Sequence, residues 1–158
     1  MKTPTMRLMA ITAACAVVIA IGGCGKNEAA KQDQTVAESK TPAIDQSNPL
    51  AVAKAFWTAA TEEDTGKLLA LTAEEAREEV KNGLIPHLKQ ISAGYKGKPI
   101  DVTGDGKTPN APAKIREKDG KKYAEVCAVL GGIGTKEENG QDVKLVLKDG
   151  KWFVTSKR

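Results

Sequence analysis

The sequence predicts an α+β domain in which N-terminal helices pack on a curved antiparallel sheet. Three observations predict it. The first two are that apolar residues recur at helical spacing between residues 50 and 91, and that after Gly94 they alternate with polar residues as in strands. A third observation is a pair of turns, Asp119-Gly120 and Asp149-Gly150, of the kind that closes two-residue hairpins. Strands joined in this way run antiparallel, and the preceding helices are available to cover one face of the sheet.

The N-terminal 23 residues have the features of a secretory signal peptide. A basic start precedes an apolar stretch of about 14 residues, at 8–21, which is shorter than the ~18 residues of a membrane-spanning helix. The stretch ends in Ile21-Gly22-Gly23-Cys24, which resembles the lipobox of bacterial lipoproteins. This resemblance implies cleavage before Cys24, a diacylglyceryl group on its sulfur and a fatty acid such as palmitate on its new amino group.

Composition excludes some classes of function. Removal of residues 1–23 takes away two positive charges, so the formal net charge falls from +4 to +2, whereas a nucleic-acid binder is usually far more basic. Of the three cysteines, Cys15 leaves with the signal and Cys24 carries lipid, so Cys127 remains alone. We interpret Cys127 as a small buried hydrophobe, with an intermolecular disulfide or a reactive thiol as the alternative.

The mature chain is expected to have two parts. Residues 24–47 begin with the lipidated cysteine and contain almost no large apolar side chains, which predicts a flexible tether with an r.m.s. reach of about 25 to 30 Å. Residues 48–158 are expected to form one domain, because about 110 residues suffice for a single core.

The first helix is predicted to begin at Asn48-Pro49, because asparagine is a good N-cap and proline is tolerated in the first turn. Its apolar stripe comprises Ala53, Phe56, Trp57 and Ala60. A polar corner at residues 62–64 ends this helix, and a short helical turn follows at 67–71.

A third helix is predicted to start with a capping box formed by Thr72 and Glu75, and Pro86 should kink or split it. It carries an acidic cluster, which comprises Glu74, Glu75, Glu78 and Glu79. Because Arg77 and Lys81 lie within one turn, we interpret this cluster as a solvated helix face and not as a metal or catalytic site.

The strand region begins at Ile100 and Val102, which are expected on the core face. Residues 101–106 resemble the first half of a calcium-binding loop, but Pro112 stands where the bidentate glutamate should be, so no metal site is predicted.

The Asp-Gly turns set the registers of two hairpins. The first hairpin pairs Lys118 with Lys121, Glu117 with Lys122, Arg116 with Tyr123, Ile115 with Ala124 and Lys114 with Glu125. The second pairs Lys148 with Lys151, Leu147 with Trp152, Val146 with Phe153 and Leu145 with Val154. The core face is then expected to include Ala113, Ile115, Ala124 and Val126 in the first hairpin.

The opposite face of the sheet is less polar than expected. The four apolar residues on it are Cys127, Val129, Val146 and Phe153. They would form an apolar patch away from the helices, which is either a dimer face or is covered by a curled sheet or by the tether.

The order of these elements resembles the cone-shaped α+β roll of the nuclear-transport-factor-2-like (NTF2-like) superfamily, a cystatin-like architecture. More narrowly, it is similar to small bacterial lipoproteins with the domain of unknown function DUF4878. The residues that carry the resemblance are Asn48-Pro49-Leu50, Phe56-Trp57, the corner at 62–64 before Leu68-Leu69, and Gly150-Lys151-Trp152. Some members of the superfamily are enzymes with a site inside the cone. No residue here, including the single histidine His87, matches a catalytic motif, so no catalytic residue and no cofactor are predicted.

We therefore expect a lipid-anchored protein of the bacterial cell envelope that acts as a non-enzymatic binding or scaffolding module. After the lipidated cysteine the chain has Gly25 and not the aspartate that resembles an inner-membrane retention signal. In a Gram-negative host we therefore expect the outer membrane, with the domain facing the periplasm. A homodimer or an envelope protein is the expected partner. The alternative is a small-ligand binder or an enzyme, with a pocket in the cone lined by Trp57, Leu84, Leu145 and Trp152.

Overall fold

The computed structural model describes residues 43–156. The predicted signal, Cys24 and the tether up to residue 42 lie outside this range. Within it, four α-helices precede a five-stranded antiparallel sheet. The helices are α1 (Pro49–Thr61), α2 (Thr65–Ala70), α3 (Arg77–Gly83) and α4 (Leu88–Tyr95). The strands are β1 (Ile100–Thr103), β2 (Lys114–Lys118), β3 (Lys121–Leu130), β4 (Asn139–Lys148) and β5 (Lys151–Thr155). The predicted class, α+β with helices on an antiparallel sheet, is confirmed.

Side-chain caps begin the first two helices. The Asn48 side chain accepts a hydrogen bond from the Leu50 N–H at 2.9 Å, and Pro49 takes the first helical position as predicted. Asp64 caps α2 by accepting from the Lys67 N–H at 2.9 Å. The predicted apolar stripe of α1 is buried.

The predicted capping box at Thr72 is wrong. The Thr72 hydroxyl is buried and donates to the Leu68 carbonyl at 2.7 Å, and its backbone forms a parallel bridge to Val154. A 3₁₀ turn, Glu74–Ala76, follows without a side-chain cap. The long-range bridge to β5 competes with a local cap and holds Thr72 in place.

Pro86 splits the third predicted helix, as expected. It lies in a second 3₁₀ turn, Ile85–His87, between α3 and α4. Proline has no N–H to continue the α-helical hydrogen bonds, so a new helix starts after the turn.

Both hairpin registers are confirmed. β2 pairs with β3 from Lys114↔Glu125 to Lys118↔Lys121, and β4 pairs with β5 from Lys144↔Thr155 to Lys148↔Lys151. At both turns the aspartate and the glycine have positive φ angles between 50° and 74°, which is the geometry of a type I′ hairpin turn.

The sheet has the order β1-β3-β4-β5, and β2 lies on the same side of β3 as β1. The edge of β5 is covered by two segments. The Trp152 N–H donates to the Gln46 carbonyl, and the Val154 N–H donates to the Leu71 carbonyl, both at 2.8 Å. These bonds satisfy an edge that would otherwise be open to pairing with another chain.

The helices cover one face of the sheet, which we call the inner face. It carries alternate residues of the strands, among them Val102, Ala124, Val126, Ala128, Val143, Leu145, Trp152 and Val154. These residues share one hydrophobic cluster with α1, where Val52, Ala53, Ala59 and Ala60 are fully buried. Small residues on both sides let α1 lie close to the strands.

Ile115 departs from the prediction that it lies in the core. Its pairing with Ala124 places it on the inner face, but 58% of its surface is exposed. β2 makes its contacts with β3 and extends past the part of the sheet that the helices cover, so all five of its residues are exposed.

Candidate functional site

The four predicted pocket residues lie in the hydrophobic core. Leu145 is fully buried, Trp152 and Trp57 are nearly so, and Leu84 is half-buried and packs against the same cluster. Leu84 also lines an open groove of about 330 Å³ between α3 and the end of β5. The structure therefore brings these residues together as packing groups around the inner face, and their use as a ligand pocket stays a prediction.

Trp57 is the exception to good polar pairing in this core. Its ring packs edge-on against Phe56, with ring centroids 5.9 Å apart and planes at 89°. Its indole Nε1–H is buried and has no hydrogen-bond partner within the described residues. An unpaired buried donor costs about 1 to 3 kcal/mol. A ligand that placed a hydrogen-bond acceptor next to this nitrogen would therefore remove that cost.

The face opposite the helices, which we call the outer face, contains the predicted dimer residues. Val129 and Val146 are buried there, while Cys127 and Phe153 are half-buried. The registers separate them into two groups, because the row Lys114–Glu125–Lys144 crosses the sheet between Cys127 and Val146. The outer face thus has two small apolar groups and not one continuous patch; dimerisation through it stays a prediction.

A groove of about 240 Å³ surrounds Cys127 on the outer face. Its charged lining residues are Asp105, Lys114, Glu125, Asp142 and Lys144. Burial, and then the negative charge of Asp142, raises the pKa of the Cys127 thiol. Because the thiolate is the nucleophile, the raised pKa makes Cys127 a weak one. The interpretation of Cys127 as a small buried hydrophobe is met only in part, because the residue is half-buried and lines a groove with charged walls.

Asp105 organises the loop beside that groove. Its Oδ1 accepts from the Thr103 hydroxyl at 2.6 Å and from the N–H groups of Lys107 and Thr108 at 2.8 Å each. These bonds, led by the one from Thr103, hold the pKa of Asp105 well below its ordinary range. The carboxylate is thus used to close a turn. Within residues 43–156 no group of three or more potential metal ligands is found.

The other end of the outer face is basic. Lys118 pairs with Lys121, and Lys148 pairs with Lys151. Tyr123 pairs with Val146, so the same register continued by two residues places Lys121 opposite Lys148. One row of four lysines therefore crosses four strands, over roughly 14 Å at the usual strand spacing.

Three more cations extend this row along the strands. We call the set the basic patch: Lys114, Arg116, Lys118, Lys121, Lys144, Lys148 and Lys151. The row next to the four lysines contains Tyr123 and Phe153, both half-buried. Both hairpin registers follow from the sequence, but the pairing of β3 with β4, which assembles the patch, does not.

Two carboxylates pair with cations of the basic patch, in addition to Asp105 and Asp142 in the groove that Lys114 and Lys144 line. Glu125 lies 3.7 Å from Arg116, and Glu75 Oε2 accepts from Lys148 Nζ at 2.6 Å. The hydrogen bond from Lys148 lowers the pKa of Glu75, and the positive charge of Lys121 adds to the effect. Apart from Glu75, the acidic cluster stays on the helical surface, where Glu78 pairs with Lys81 at 2.6 Å. This agrees with its interpretation as a solvated helix face.

No protein-family model matches the chain, and no curated protein matches it in sequence. Solved structures that resemble the chain in fold include two of low sequence identity. A protein from Campylobacter jejuni described as an NTF2-like transpeptidase is 18% identical, with a TM-score of 0.45, over 70% of this chain and 99% of that chain. A SEC-C motif containing protein from Rhodopseudomonas palustris is 15% identical, with a TM-score of 0.41, over 70% of this chain and 77% of that chain. In the part of the chain that the structure describes, no helix is long and apolar enough to cross a bilayer.

Proposed function

We propose that this chain is a bacterial lipoprotein, anchored by lipid on Cys24, whose domain acts as a non-enzymatic binding or scaffolding module of the cell envelope. The observation that carries the proposal is the sequence Ile21-Gly22-Gly23-Cys24 at the end of a short apolar stretch with a basic start. Two or three acyl chains hold a protein on a bilayer, whereas one chain gives only reversible binding. In a Gram-negative host the domain would face the periplasm from the outer membrane.

The packing of the domain supports a binding role over a catalytic one. The large side chains that could have lined a pocket, Trp57, Leu145 and Trp152, fill the space between the helices and the inner face. His87 is exposed on the turn between α3 and α4. The charged side chains of the described residues lie at the surface of the domain, where a partner can contact them. We therefore place the partner-binding function on the exterior of the domain.

We also propose that the domain belongs to the NTF2-like, DUF4878-type group. The support is the set of packing motifs in the sequence: Asn48 capping α1, the Phe56-Trp57 pair on its buried stripe, and the Asp149-Gly150 turn leading to Trp152. Of these residues, Phe56, Trp57 and Trp152 lie in the hydrophobic cluster between the helices and the sheet.

Substitution of the cysteines tests the anchor. We expect Cys24→Ser to leave the signal uncut and to abolish incorporation of labelled fatty acid. Cys15→Ser and Cys127→Ser are matched controls, since the first residue leaves with the signal and the second is a free thiol on β3. Both should be cut and labelled like the wild type. Fatty-acid labelling of the Cys24→Ser chain at the wild-type level would overturn the proposal.

A second candidate, a small-ligand site inside the domain, is favoured by one observation, the unpaired indole Nε1–H of Trp57. A crystal structure should then show an ordered non-water molecule with an acceptor within hydrogen-bond distance of that nitrogen. A water molecule there, or van der Waals contact with apolar side chains alone, would exclude the candidate.

A further inference from the structure

We propose that the basic patch docks on the anionic headgroups of the membrane in which the N-terminal lipid is held. This inference rests on the proposed lipid anchor and adds the orientation of the domain on the bilayer. The ligand of the basic patch is then the phosphate-bearing headgroup of anionic lipids, many of which lie side by side in the membrane surface.

Charge favours an anionic partner. The patch holds seven cationic side chains and is faced by the carboxylates of Glu75 and Glu125. Asp105 and Asp142 lie at its margin, in the groove that Lys114 and Lys144 also line. Asp119 and Asp149 add two negative charges in the turns beside it. Lys118, Lys121 and Lys151 are exposed, and the Arg116 side chain is 70% exposed. The excess of positive charge thus lies on groups that a partner can reach.

Shape favours an extended partner. Lys114 and Lys144 line the groove around Cys127, but the other five cations stand in rows on neighbouring strands outside it and form a broad, extended array. Such an array matches many negative charges spread over a plane better than one small anion. Tyr123 and Phe153 lie in the row next to the lysines, and aromatic side chains are favoured at the level of the headgroups.

The point at which the tether enters the domain also favours a membrane as the partner. The Gln46 carbonyl accepts from the Trp152 N–H at 2.8 Å, so the N-terminal segment enters the domain beside Lys151, at the lysine end of β5. From Cys24 to Ala43 there are 18 intervening residues, a chain that spans at most about 65 Å. The tether therefore joins the domain at the same end of the sheet as the patch.

A second copy of the chain fits this surface less well. In a two-fold dimer the same patch would face itself, which would bring like charges together across the interface. A membrane carries the opposite charge. Each lysine or arginine near an anionic surface contributes roughly a fivefold increase in binding.

Lysine footprinting tests the proposal on the full chain as it is purified from membranes. The protein is added to preformed vesicles of phosphatidylcholine, with and without phosphatidylglycerol, and the rate of amine acetylation at each lysine is read by mass spectrometry. We expect Lys118, Lys121 and Lys151 to react about fivefold more slowly on the anionic vesicles. Lys54 and Lys89, which are exposed on the helical layer, should react at the same rate on both.

A pair of double variants sharpens the test. Lys118→Gln with Lys121→Gln should weaken docking about 25-fold and remove the protection of Lys151. Lys54→Gln with Lys89→Gln makes the same change of charge on the helical layer and should keep that protection. Equal acetylation rates of Lys118, Lys121 and Lys151 on the two kinds of vesicle would overturn the proposal.

Two further outcomes identify another occupant and would also overturn it. If soluble polyphosphate protects the patch and anionic vesicles do not, the partner is a soluble polyanion. If protection on neutral vesicles rises with protein density, the partner is a second copy. Failure of the anchor is seen separately, because the chain would then not sediment with neutral vesicles, while footprinting on anionic vesicles still reports on the patch.

Discussion

The two faces of the sheet are made from alternate residues of the same strands, but they obey different constraints. On β3 the inner positions Ala124, Val126 and Ala128 are small and buried under α1. The outer positions Lys121 and Glu125 are charged. Packing determines the inner face residue by residue, because each side chain must fit the helices. The charged side chains of the outer face do not have to fit against helices. Their arrangement can therefore be selected for binding a partner.

The outer face itself differs between its two ends. The hairpin end carries most of the basic patch, whereas around Cys127 the patch residues Lys114 and Lys144 are accompanied by Asp105 and Asp142. The near-neutral net charge of the chain conceals this separation. Net charge therefore describes solubility here, whereas the registers show where a charged partner can bind.

The largest expected effect lies on the inner face. Leu145→Ala removes a fully buried side chain and should lower the free energy of unfolding by about 2 to 5 kcal/mol. Lys121→Ala, on the outer face of the neighbouring strand, should change it by less than about 0.5 kcal/mol. Urea titration of both variants measures the difference. Similar losses in the two variants would contradict the distinction between the faces.

An intermediate effect is expected at the contact between α2 and β5. The buried Thr72 hydroxyl satisfies the Leu68 carbonyl, so Thr72→Val should cost about 1 to 3 kcal/mol in the free energy of unfolding. Thr58→Val is the matched control, since the Thr58 hydroxyl donates to the Lys54 carbonyl with the same spacing at the surface. Urea titration should give a change within about 0.5 kcal/mol for the control. Equal costs would mean that burial of the Thr72 bond is unimportant.

A smaller effect is expected for the ion pair between Glu75 and Lys148, whose side chains are 33% and 38% exposed. Solvent screening limits such a pair to about 0.2 to 1 kcal/mol, so Glu75→Gln should destabilise the domain by no more than that. The lowered pKa of Glu75 means that the stabilisation is present above its ordinary pKa of 4.5 and is lost as the pH falls. Thermal unfolding from pH 7 to pH 3 checks this; a wild-type advantage that grows on acidification would contradict it.

The smallest expected effect is the pH-dependent stabilisation of the loop at Asp105, beside the outer face. Its pKa is lowered by hydrogen bonds, so its charge stabilises the loop above the ordinary value of 3.8 and ceases to do so as the pH falls toward the lowered pKa. Asp105→Asn keeps an acceptor but removes the charge. The difference in melting temperature between wild type and variant should therefore shrink in acid. A carboxyl NMR titration of Asp105 with a midpoint at or above 3.8 would refute the interpretation.

Local signals in the sequence predicted much of the fold. The caps at Asn48 and the two Asp-Gly turns act over a few residues, so the start of α1 and both hairpin registers followed from them. Thr72 and Ile115 were mispredicted because their environments are set by distant segments. Thr72 is held by β5, and Ile115 lies beyond the cover of the helices.

The candidate site was harder to predict from the sequence than the fold. The basic patch depends on the pairing of β3 with β4, which a loop and not a tight turn connects, so no local motif fixes its register. The unpaired Trp57 nitrogen depends on every group around it in the core. Both features arise from non-local contacts, and neither has a signature in the residues next to it.

The intact mass of the mature protein, extracted from membranes, tests the central claim most directly. The account predicts a chain that begins at Cys24 and carries the added mass of a diacylglyceryl group and of an amide-linked fatty acid. A mass equal to the unmodified chain, or an N-terminus at any other residue, would contradict the lipid anchor.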